Sequence, residues 1–124
     1  MNELIETIFA NFKVAGKKIP VEFMRYEGKS TTYITYQEID MDNSFCGDDE
    51  LLNYLDYYDF DVYSKGNYME IIKELKKILK ENGFMWQPSR SSGDMYEDDT
   101  GYYHKTLNFA IEREEWYYGK NWIE

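Results

Sequence analysis

The run Asp59-Phe60-Asp61-Val62-Tyr63-Ser64-Lys65-Gly66-Asn67-Tyr68 changes hydrophobic period partway along. Phe60 and Val62 alternate with Asp59 and Asp61, the period-two pattern of a strand with one face buried. Lys65-Gly66 then turns the chain, and apolar residues recur every three or four positions at Tyr68, Ile71, Ile72, Leu75, Ile78 and Leu79. That spacing predicts a helix over 68–82 with Lys73, Lys76, Lys77 and Lys80 on its outer face. Asn67 with Glu70 three residues later matches a capping box, and Gly83 stands where a left-handed terminator belongs. Phe84 and Trp86 open an extended segment that Pro88 ends, and Gln87 to Asp94 reads as a flexible loop. From Tyr102, Leu107, Phe109 and Ile111 alternate with His104, Asn108, Ala110 and Glu112, a half-buried strand. The result is a strand–helix–loop–strand unit.

Upstream, Leu4, Ile5, Ile8, Phe9 and Phe12 share one helical face, predicting a first helix from Asn2 to about Ala15 with Gly16 as its end. Val21 and Phe23, a turn near Gly28, and the β-branched and aromatic run Thr31 to Ile39 read as a hairpin. Met41 to Glu50 is polar and acidic and reads as a loop, while Leu51 to Tyr58 fits either a strand or a helical turn. The order predicts one α+β domain over 1–124, a mostly antiparallel sheet with two main helices packed on one face. An aromatic segment, 114–124, ends it with Trp116, Tyr117, Tyr118 and Trp122.

With 124 residues, 43% of them hydrophobic and 19% aromatic, the chain can bury a core without disulfides. Its net charge of −10 argues against sequence-specific nucleic-acid binding, which draws affinity from neutralising phosphates. Cys46 is the single cysteine, so no internal disulfide forms and a reducing compartment is expected. The N-terminus lacks signal-peptide character and no apolar run spans a bilayer, which predicts a soluble intracellular protein without membrane contact.

Catalytic groups do not assemble from the sequence. Of the acidic clusters, Asp40, Asp42, Asp48, Asp49 and Glu50 lack calcium-loop spacing because Phe45 stands where the turn glycine belongs, and Asp94, Glu97, Asp98 and Asp99 show no such pattern either. These carboxylates read as solvated loops, and neither a metal nor another cofactor is expected. Cys46, His104 and an aspartate would have to come together from a loop and a distant strand to form a thiol–imidazole system. No enzyme activity is expected. The lysine face of the second helix either grips an acidic partner or is merely solvated. The aromatic segment either folds onto its own core or docks on a neighbour, where buried Trp and Tyr typically dominate binding.

The order of short motifs resembles the tail terminator or tail completion group of small proteins from long-tailed phages and prophages of Gram-positive bacteria. The matching residues are Ile19-Pro20-Val21, Tyr26 and Gly28, Thr32 to Tyr36, Asp48-Asp49, Asp61 to Tyr68, Gly83-Phe84, and Tyr96 to Lys105. They cover about residues 19 to 112; each is of modest specificity, and the order and spacing carry the weight. The resemblance implies a ring homo-oligomer, typically a hexamer, that ends tail tube growth and joins tail to head. It would contact the tail tube protein and head connector proteins, in host cytoplasm during assembly and at the tail–head junction of the virion. Contact residues nominated on this basis are Tyr96, Glu97, Asp98, Asp99, Tyr102, Tyr103, His104, Lys73 and Lys77; Trp116 and Trp122 lie outside the matched region and are nominated from the docking reading of the aromatic segment. A neck or head-completion subunit is the neighbouring alternative. A small acidic adaptor or inhibitor that mimics nucleic acid is the alternative from another class.

Overall fold

The computed structural model describes residues 2–46 and 51–116, and only the backbone at residue 2 and within 42–46, 51–53 and 114–116. The architecture is α+β, with a mostly antiparallel sheet and two helices. In chain order the elements are α1 (Asn2–Ile8), β1 (Lys13–Val14), β2 (Lys17–Lys18), β3 (Val21–Phe23), β4 (Thr32–Cys46) and β5 (Leu51–Ser64). They continue with α2 (Met69–Glu81), β6 (Met85–Trp86), a single 3-10 turn (Pro88–Arg90), β7 (Met95–Glu97) and β8 (Tyr102–Trp116). The main sheet has the order β3-β4-β5-β8-β6, and β7 pairs with β8 as a hairpin.

The strand–helix–loop–strand unit folds as its periodicity predicts. Phe60, Val62, Leu107, Phe109 and Ile111 are buried with Ile71, Ile72, Leu75 and Leu79 in one cluster. Gly83 takes φ +91, the left-handed geometry that ends α2. The cap differs by one position. Tyr68 occupies the N-cap site, and the Asn67 side chain accepts a hydrogen bond from the Met69 amide at 2.9 Å instead of closing a capping box.

Four expectations are corrected. The first helix ends at Ile8, not near Ala15, and β1 and β2 form a hairpin instead. Ala15 and Gly16 both take positive φ, 54 and 82, the geometry of a two-residue hairpin turn that matches strand twist. Ile5, Phe9 and Phe12 are still buried while Leu4 is 39% exposed, so the apolar spacing marked most of its core residues correctly and the backbone past Ile8 wrongly. Next, β3 and β4 pair in parallel, not as a hairpin. Met24, at φ 65, folds the chain back, and because β3 has three residues the return path is short.

Third, Met41 to Cys46 lies inside β4, while residues 47–50 of the expected loop fall outside the described residues. Pairing with β5 absorbs this polar run through two register shifts, between Glu38 and Asp40 and between Asn43 and Phe45. The ambiguous stretch from Leu51 is strand throughout. Fourth, β8 is not half-buried at its centre: Asn108 and Ala110 are both 0% exposed. The segment around the 3-10 turn covers them, with Ser91 Oγ accepting from the Asn108 amide and Ser92 Oγ from the Thr106 amide, each at 2.9 Å.

Candidate interaction surfaces

Strand parity divides the nominated residues between two sides of the β7–β8 hairpin. Tyr96 pairs with Tyr103, and their rings meet at 4.9 Å. Both are exposed, and Tyr103 also contacts Tyr68 edge-on. Tyr68 donates a 2.7 Å hydrogen bond to Asp94, and Lys105 lies 3.5 Å from the same carboxylate. The Tyr68 hydrogen bond, with Lys105 adding to it, holds Asp94 below the usual carboxylate range. This knot fastens the loop before β7 to the start of α2.

Glu97, Tyr102 and His104 face the other way. There a column of stacked rings crosses the sheet: Tyr26 on Tyr33 at 4.6 Å, Tyr33 on Tyr63 at 4.9 Å, and Tyr63 on His104 at 4.2 Å. Tyr102 meets Tyr33 and Tyr63 edge-on, and Lys65 lies over the Tyr102 ring. Asp61 and Glu97 flank His104 at 3.4 Å and 3.7 Å, and Thr106 donates to Asp61. Burial, then the Asp61 charge, pushes the Tyr63 hydroxyl up to about 12. Burial likewise raises Asp59, which accepts a 2.8 Å hydrogen bond from Asn108. Stacking and the bonds to Asp61 tie these groups together as a support, although Asn108 Oδ1 has no hydrogen-bond partner. Asp98 and Asp99 sit in the turn that Gly101 closes by donating to the Glu97 carbonyl at 2.8 Å.

Lys73 and Lys77 are exposed on α2, apart from both groups. Lys76 does not project outward as predicted. It lies 3.6 Å over the Trp86 ring, and burial lowers its pKa. Cys46 cannot partner His104. Cys46 pairs with Leu52 at one end of β5, while His104 pairs with Tyr63 at the other, roughly 36 Å away along a strand. Trp116 is described only as the last residue of β8, opposite Leu51, and Trp122 lies outside the described residues.

Two features were not legible as sites in the sequence. Exposed apolar side chains gather at both edges of the sheet: Phe23 and Met24 at β3, and Met85, Trp86, Met95 and Tyr96 at β6 and β7. In sequence these look like ordinary strand residues; only the strand order shows that they are terminal. Beside β3, under α1, lies a groove of about 580 Å³ lined by Phe9, Val21, Phe23 and Tyr36 with Glu6 and Glu22. Burial first, then the charges of Glu6 and Glu22, raises the Tyr36 hydroxyl, and Lys18 also lines the groove.

Asp56, by contrast, is 2% exposed at the base of the extended β4–β5–β8 region. Arg113 reaches its Oδ2 at 3.4 Å, and its Oδ1 lacks a hydrogen-bond partner. Burial, reinforced by Glu38, lifts its pKa to about 7.

Among the described residues, no group of three or more His, Cys, Asp or Glu side chains is placed to hold a metal. None of the described helices is long and apolar enough to cross a membrane. No protein-family model matches the chain, and no curated protein matches it.

Proposed function

We propose that this protein is a phage or prophage virion subunit, a tail terminator-like ring component that ends tube growth and joins tail to head. The supporting observation is the pair of unlike apolar edges. Phe23 and Met24 are 47% and 57% exposed at β3, and Met85, Trp86 and Tyr96 are 47%, 41% and 54% exposed across the sheet. Different patches on opposite edges favour heterologous association, which closes into a ring when the rotation permits. Both helices lie on one face of the sheet in this reading. Ile5 of α1 and Phe9 just after it share the buried cluster with α2 residues and with Ile34, Phe60 and Leu107, which supports that placement. The column of stacked rings then stiffens the opposite face. The net charge of −10 suits a ring through which DNA passes without adhering.

Light scattering and negative-stain imaging of the protein mixed with tubes of the same phage's tail tube protein test this. The expected result is added density at one tube end only. A protein that stays monomeric both alone and with tubes overturns the reading. Salt-sensitive one-to-one capture by a basic protein would point to the adaptor alternative instead.

A further inference from the structure

We infer that the groove between α1 and β3 receives the aromatic segment Trp116–Trp122 of a second copy of this chain. The inference deepens the ring reading and rests on it.

The segment cannot serve its own groove. Trp116 pairs with Leu51, whereas Tyr36 pairs with Phe60, which pairs with Leu107. The nine strand positions from Leu107 to Trp116 span roughly 30 Å, and β3 lies three strand spacings, roughly 14 Å, to the side. Trp122 is six residues beyond Trp116, about 21 Å when fully extended. The groove of another subunit carries no such restriction.

Chemistry matches the two. Phe23 is 47% exposed and Val21 half-buried where the groove meets the sheet edge, with Phe9 and Tyr36 buried behind them. Its volume, about 580 Å³, lies in the range of pockets that bury aromatic groups. Glu6 and Glu22 line it together with Lys18, two negative charges against one positive. The segment reads Trp116-Tyr117-Tyr118-Gly119-Lys120-Asn121-Trp122, aromatic anchors around one cation. Lys120 facing Glu22 would set the register while Trp122 fills the apolar floor. Trp is the residue type that most often dominates such contacts.

Charge exchange tests the contact. Self-association is measured by sedimentation for the full chain and for Glu22→Lys, Lys120→Glu and the double variant, with circular dichroism as the folding control. Each single variant should weaken association about tenfold, and the double variant should recover most of that loss. Equal mixtures of the two single variants should also recover, because each interface can again pair opposite charges. Trp122→Ala should weaken association and leave the melting temperature unchanged. Single variants that associate normally, or a double variant no better than either single, overturn the inference. Tubes capped by Lys120→Glu as well as by the parent chain would sink the inference and leave the ring reading standing. Charge rescue without any tube binding would do the reverse.

Discussion

Strands β4, β5 and β8 carry two faces built on opposite principles. One face presents Ile34, Tyr36, Phe60, Val62, Leu107 and Phe109, buried in the hydrophobic cluster and held by apolar area and ring packing. The other presents Tyr33, Asp59, Asp61, Tyr63, His104, Thr106 and Asn108, held by stacking and hydrogen bonds. The first tolerates no lost volume. The second tolerates volume changes better than the loss of a hydrogen-bond partner, because its polar groups are already half removed from water. Their difference says that the sheet is stabilised from one side and stiffened from the other.

The largest break in this contrast should come from the apolar face. Phe60 is fully buried, with rings of Phe9, Tyr36, Phe84 and Phe109 around it. Phe60→Ala should cost about 3–5 kcal/mol in urea denaturation. A loss below about 1 kcal/mol would mean that the core closes over the gap.

Asp56 is the point where the apolar face is interrupted by a charge, and it should show itself through pH. Its folded pKa, about 7, lies above the ordinary 3.8, so folding favours the protonated form. The penalty is absent below about pH 4, grows as pH rises, and is complete above about pH 7. Asp56→Asn should therefore be more stable than the parent at pH 8, by on the order of 2 kcal/mol, with the gain vanishing near pH 4. A variant less stable at pH 8 would show that Arg113 more than offsets the burial cost.

On the polar face, Asp61→Ala should cost about 1–2 kcal/mol, since it strips Thr106 and His104 of their shared acceptor. Thermal melts of Asp61→Ala and Thr106→Val would sharpen the comparison. Equal losses would identify one shared bond, whereas a larger loss for Asp61 would assign the remainder to His104.

Legibility followed how local each cause was. The α2 stripe and its glycine terminator depend on residues within one turn of each other, and both could be read directly. The β1–β2 hairpin was hidden because Ile5, Phe9 and Phe12 keep helical spacing although the helix stops at Ile8. The residues nominated from Tyr96 to His104 are contiguous in sequence, but their split between two faces came only from the β7–β8 register. Phe23 and Trp86 gave no sign of being edge residues, because exposure there depends on which strands are missing beyond them.

Hydrophobic period, turn chemistry and charge balance determined the strand–helix–loop–strand unit, the mixed α+β class and the acidic surface, because each arises from neighbours along the chain. Tertiary structure alone decided the parallel β3–β4 pair, the reach of β4 to Cys46, the burial of Asn108 and Asp56, and the two unlike edges. Those depend on pairings between residues far apart in sequence, whose free energy belongs to the assembled sheet and to no local segment.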